Sequence, residues 1–411
     1  MALPLFAGHA ADPAPFRLDE AVAVALRDNA ELNALRARAG ALQERPVQAD
    51  ALPNPMLTYG AMDTVGGGSW PDTGEKRLMV QQAFPGSGKR ALRRGIAVQE
   101  AAETQFEVAA LARDLRMRVK ETYFDLRATR RVLTLTREEQ QLLRRLITVA
   151  ETQYATGERP QVDVLKAQSE LTLLKQKLLD LLAQEATLQA RLNALLNQPA
   201  ATAVGETVTA PDFAAAEAME TRLTQAATNR PEVQAVEAQL TRYHLEQALM
   251  AKEGSPDYRL GVEYREFADS ADMVMLTVSV DLPLWQSKVN AGVRESARMR
   301  RAGEAALDAA KRQATLDAQE SAFRLLTARR TLELYAAELI PLAETRLAAS
   351  EAAYRTGKTD FLDLLESERF LLNAKTMAVQ TEGAAAMQAA RLERALGAPL
   401  PAGMTAEGAR P

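Results

Sequence analysis

Met273-Val274-Met275-Leu276-Thr277-Val278-Ser279-Val280-Asp281-Leu282 alternates without a break. In an extended chain Val274, Leu276, Val278, Val280 and Leu282 point one way, and Met273, Met275, Thr277, Ser279 and Asp281 the other. A period of two is the strand signal. Just upstream, Arg259 to Phe267 does the same, with Leu260, Val262 and Tyr264 apolar and Arg259, Glu263 and Arg265 polar. Strands of about ten residues with one apolar and one charged face match the transmembrane β-barrel pattern. A half-buried soluble hairpin has the same period, but the charge on the polar face and the very long helices nearby favour the barrel.

Working outward, the strand region has a weaker counterpart about 200 residues earlier. Pro55–Gly60 (PMLTYG) is echoed by Pro256–Gly261 (PDYRLG), and Ala83-Phe84-Pro85 by Asp281-Leu282-Pro283, with Lys89 and Lys288 following. Asn29-Ala30-Glu31 is echoed by Asn229-Arg230-Pro231-Glu232. Tyr154-Ala155-Thr156-Gly157 is echoed by Tyr354-Arg355-Thr356-Gly357, and Asp163-Val164-Leu165 by Asp363-Leu364-Leu365. Matches in constant order and offset make a tandem duplication.

The first repeat is expected over 12–210, with a helix over 17–52, strands near 55–63 and 76–84, a long helix over 86–153 and a helix over 161–197. The second is expected over 211–398, with a helix over 221–253, strands near 257–267 and 273–283, a long helix over 286–355 and a helix over 361–397. Residues 1–11 read as a signal-peptide remnant and 399–411 as a flexible tail. A helix as long as 86–153 would reach ~100 Å at ~1.5 Å per residue, which implies a coiled coil or helical repeat. Leu171, Leu174, Leu178, Leu181, Leu188, Leu192 and Leu195 form a heptad seam in which Glu185 fills the one skipped slot. The predicted class is therefore mainly α, a long coiled coil with a small transmembrane β part.

Composition supports this. The chain has 21 Gly, 18 Pro and 5% aromatic residues, with a net charge of −4. A nucleic-acid-binding surface would need a basic stripe. The lack of cysteine excludes disulfides, thiolate catalysis and Cys-based metal sites. No apolar run reaches the length of a membrane-spanning helix. Four strands cannot close a barrel, because even small ones need about eight. The open edges must pair with other copies, and three copies, giving twelve strands, is the simplest closed solution.

The Asn229-Arg230-Pro231-Glu232 motif, the Leu282-Pro283-Leu284-Trp285 strand exit and the paired Tyr-x-x-Gly turns at Tyr154 and Tyr354 resemble the TolC-like outer-membrane efflux family. Pro53-Asn54-Pro55 and Gln82–Arg90 look most like its heavy-metal (CusC/CzcC-like) branch. The resemblance implies a homotrimer in the bacterial outer membrane, with a periplasmic tunnel docked to a periplasmic adaptor and an inner-membrane RND-type pump. It implies no enzymatic activity and no cofactor. It further implies a closed periplasmic tip just after the turn glycines Gly157 and Gly357. There Asp363 and Glu366 would line a constriction, and Asp163 would pair with Tyr354. Relatives can carry a basic residue where this chain has Thr359; Arg159 and Lys358 lie nearby.

Other motifs carry less. Gly86-Ser87-Gly88-Lys89 lacks the first glycine and the final Ser or Thr of a phosphate-binding loop, and reads as a strand-to-helix turn. His9 and His244 are the only histidines and lie far apart, so neither a metal site nor a Ser/His/Asp set is expected. Asp363 and Glu366, three residues apart, share a helix face; under three-fold symmetry they would form a carboxylate ring that favours cations. A periplasmic coiled-coil adaptor or structural rod would share the helices but has no use for the strand pairs. Drugs, other organic solutes or type I secretion substrates are the alternative cargo.

Overall fold

The computed structural model describes residues 15–62, 74–157, 160–210, 230–267 and 270–397. The expected signal remnant, the 221–229 helix start, Arg159 and the tail lie outside them. Two compact units emerge, residues 34–109 with 231–311, and residues 1–33 with 110–230 and 312–411. They are not the two repeats: each unit draws on both.

The first unit carries one antiparallel sheet in the order β1-β2-β3-β4. Its strands are β1 (Met56–Met62), β2 (Glu75–Phe84), β3 (Asp257–Phe267) and β4 (Met273–Asp281). β1 and β4 are the edges. Residues 85–88 connect β2 to α4 (Lys89–Ala155). A Cβ on Gly86 would meet the Pro256 carbonyl oxygen at 2.7 Å, so the turn needs glycine there. Lys89 is buried; its Nζ donates to the Ser255 carbonyl at 3.0 Å and to Asp257 Oδ1 at 2.9 Å. The Gly86 N–H reaches the same carboxylate oxygen at 2.6 Å. Gly86-Ser87-Gly88-Lys89 is thus a strand-to-helix turn clamped to the start of β3. α6 (Pro231–Lys252) lies in this unit, and its Tyr243 ring would sit 2.8 Å from a Cβ added at Gly303.

The expected 17–52 helix is three: α1 (Leu18–Asp28), α2 (Ala30–Gln43) and α3 (Arg45–Asp50). Asn29 is extended, and its Oδ1 accepts the Leu32 N–H at 3.1 Å, an N-cap that restarts the helix. Pro46 at the head of α3 marks the second break.

In the second unit run most of α4, which is 67 residues long in all, and α5 (Gln161–Leu195). The long helix expected over 286–355 is divided into α7 (Gln286–Leu334), a π-turn (Tyr335–Leu339) and α8 (Ile340–Arg355). Pro341 has no N–H, and its ring would clash with the carbonyl four residues back. The wider turn accommodates it, with the Ile340 N–H bonded to the Tyr335 carbonyl. α9 (Phe361–Leu396) ends on Gly397 in the left-handed conformation.

The α5 seam faces inward. Leu174, Leu188 and Leu192 are buried, while Leu173 and Leu179 off the seam are exposed. Glu185 in the skipped slot is 2.8 Å from Arg130 Nε of α4. Leu143, Ile147, Val164, Leu174, Tyr354, Phe361, Leu364 and Leu372 share one core cluster. α9 and α4 approach closely where a Cβ on Gly383 would lie 2.9 Å from that of Ala128.

Candidate functional site

Cross-strand register decides what the sheet presents. Leu57 faces Val80, which faces Val262, which faces Leu276. Tyr59, Leu78, Tyr264 and Val274 make the next such row. Leu260 with Val278 and Tyr258 with Val280 continue it. All these side chains are exposed, Leu276 at 78% and Val278 at 68%. Isolated exposed leucines are ordinary, but a contiguous face of this size marks a surface with another partner. The opposite face is charged: Arg265 lies 3.4 Å from Glu75 and also pairs with Glu263, which is buried, and Arg259 sits 2.7 Å from Asp281. At one end of the apolar face, Lys76 and Glu266 pair at 3.7 Å.

The second locus is the pair of helical turns. Gly157 and Gly357 adopt φ of 76° and 74°, the left-handed region that an L side chain resists. The Gly357 N–H bonds the Tyr354 carbonyl at 3.0 Å and the Lys358 N–H the Ala353 carbonyl at 2.9 Å, closing the end of α8. Asp360 caps α9, its Oδ1 accepting the Asp363 N–H at 3.0 Å.

The expected turn residues separate into two environments. Tyr354 is buried and stacks edge-on against Phe361, ring centres 5.7 Å apart. Its hydroxyl donates to Gln153 Oε1 at 2.7 Å, a partner in addition to the Asp163 that the family resemblance implies. Gln153 is the residue before Tyr154, the counterpart of Tyr354 in the first repeat. Asp163 is buried in the first turn of α5, where a carboxylate suits the positive end of the helix dipole. Asp363 and Glu366 are both exposed, on the side of α9 opposite Phe361, Leu364 and Leu365. Gln153 carries no charge and belongs to no repeated motif, and its place beside the repeated tyrosine was the available signal in the sequence.

Among the described residues no group of three or more His, Cys, Asp or Glu is placed to hold a metal ion, and no helix is long and apolar enough to cross a membrane.

Known proteins share this geometry. The family described as outer membrane efflux protein matches twice, over residues 21–198 and 223–398, once in each repeat. A cobalt-zinc-cadmium resistance protein, CzcC of Cupriavidus metallidurans, is 25% identical over 405 residues, 96% of this chain and 93% of that one. The CusC channel structure superposes with a TM-score of 0.80 at 15% identity, covering 93% of this chain and 92% of that one. The outer membrane protein VceC of Vibrio cholerae gives 0.79 at 18% identity, covering 93% and 96%. The family is one of transport components rather than enzymes. With the family pattern present in both repeats and the fold shared over nearly the full length, this chain belongs to the outer membrane efflux protein family.

Proposed function

We propose that three copies of the chain close a twelve-stranded barrel in the outer membrane and continue it as a helical tunnel in the periplasm. The conduit passively carries cargo delivered by an inner-membrane RND-type pump and a periplasmic adaptor. The observation that carries this reading is the exposed apolar face on a sheet whose two edge strands are open. An unpaired edge and an uncovered apolar face are both costly in water. Pairing edge to edge and facing lipid satisfies both, because a closed barrel leaves no backbone group unbonded in hydrocarbon. The charged face would then line the lumen. Heavy-metal cations are the proposed cargo, supported by the similarity to CzcC and by the exposed carboxylates Asp363 and Glu366 beside the turn.

Light scattering of detergent-purified protein tests the assembly. A particle of three 44.8 kDa chains is expected; a stable helical monomer overturns the barrel. Deleting the gene tests the cargo. Sensitivity to cobalt, zinc, cadmium, copper or silver is expected, whereas a change in drug tolerance alone would assign organic solutes to the same channel.

A further inference from the structure

α9 buries a stripe formed by Phe361, Leu364, Leu365, Glu368 and Leu372. Leucines occupy the positions four residues before and after Glu368, so its side chain stands where an apolar one fits the i, i+4 spacing. Glu368 is 2% exposed. A bare carboxylate there would be expensive unless paired with a cation. The group it meets instead is a second carboxyl, Glu139 of α4. With both ionised, Glu368 Oε1 is a buried acceptor without a donor. A single proton resolves this, since a protonated carboxyl donates one hydrogen bond and a carboxylate accepts it.

The surroundings supply no better answer. Glu170 and Lys177 of α5 and Lys375 of α9 face Glu139, while Glu351 of α8 and Lys375 face Glu368. Glu170 is held by Arg369, and Lys375 lies 3.1 Å from Glu344 of α8. Arg369 and Lys375 are therefore already engaged with other carboxylates, and acids add to the charge of the pair.

We infer that Glu139 and Glu368 share one proton that holds α9 against α4, forming a latch in the helical wall that loosens when the proton leaves at alkaline pH. Burial pushes the Glu368 carboxyl up to about 8, and the charges of Glu139 and Glu351 push the same way. Burial, then Glu170, raises Glu139 to about 7, with the hydrogen bond from Glu368 working against them. A carboxyl raised by folding stabilises the folded state fully below its ordinary value of 4.5 and loses that contribution as pH climbs to about 8. Above that both carboxyls are charged, and the repulsion falls on the α4–α9 contact.

Hydrogen exchange on the full chain in detergent, corrected for intrinsic rates, reads the latch directly. Between pH 7 and pH 9, protection of the α9 amides around Leu364–Leu372 should fall about tenfold, the equivalent of one pH unit of lost proton linkage. Glu368→Gln mimics the permanently protonated state and should keep its protection at pH 9. Glu139→Gln removes the opposing charge but leaves Glu368 buried, so its protection should fall less than that of the wild type, providing a second folded variant. Infrared spectra should show a protonated carboxyl band at pH 6 that is weakened in Glu368→Gln and absent when Glu139 and Glu368 are both replaced by Gln. The inference is overturned if that band is missing from the wild-type protein, or if both variants loosen with pH as the wild type does. Neither outcome depends on trimer formation or cargo, so failure here is distinguishable from failure of the channel reading.

Discussion

Lys89 Nζ stands 2.9 Å from Asp257 Oδ1, with the lysine side chain 2% exposed and the carboxylate 36% exposed. One cation thereby ties the exit of β2 to the entry of β3, and Gly86 donates to the same oxygen. Lys89→Met should cost about 2 kcal/mol, the range for a lost hydrogen bond to a charged group, because water can recover part of the Asp257 charge. Denaturant unfolding of the purified protein measures it. An unchanged midpoint would mean that the clamp is ornamental and the turn is held by Gly86 alone.

The apolar sheet face makes a directional prediction. Leu276→Arg with Val278→Arg should abolish outer-membrane insertion, at ~2–4 kcal/mol per lipid-facing charge. Thr277→Arg with Ser279→Arg, on the opposite face of the same strand, should insert normally. Fractionation and heat-stable oligomer on gels distinguish the pairs. Equal behaviour of the two would remove the argument that one face meets lipid.

At the turns, Tyr354→Phe should raise single-channel conductance and antibiotic entry without lowering trimer yield, since it deletes one hydrogen bond worth about 0.5–1.5 kcal/mol and keeps the packing on Phe361. Gln153→Ala should match it, and the double variant should add little, because both remove the same bond. Additive effects would show that Gln153 is not the partner that matters for closure.

Asp363→Asn with Glu366→Gln should leave stability within about 0.5 kcal/mol, as both side chains are exposed. Cation preference in planar bilayers should fall, and block by multivalent cations should weaken. Conduction identical to wild type would make these two ordinary surface acids.

Gly383→Val tests the close approach of α9 to α4. The added Cβ would stand 2.9 Å from Ala128 Cβ, so one helix must move. A loss of about 1–3 kcal/mol is expected from overpacking, read by thermal unfolding. Gly40→Ala, with open space around it, should be neutral or slightly stabilising.

The strands and the duplication were legible in the sequence because both are local or periodic signals. Alternation in Met273–Leu282 needs only the two-residue period of an extended chain, and the repeated Tyr-x-x-Gly needs only comparison of the chain with itself. The left-handed glycines followed from the same motif, since few other residues tolerate that backbone. Helix interruptions were less visible. Asn29 breaks the first helix by capping the next, and Pro341 forces a wide turn that a long amphipathic pattern hides.

Partners across space were decided only by the tertiary structure. Tyr354 could have reached several acceptors near the turns, and packing brings Gln153 to its hydroxyl. Glu368 reads in sequence as one more acid in Glu366-Ser367-Glu368-Arg369, of which only the fold buries Glu368 among leucines and places Glu139 against it. Sequence patterns specify which faces are apolar because that depends on each residue's own chemistry and spacing. Which polar groups meet, and which carboxyl must keep its proton, depends on distances between helices that no local pattern encodes.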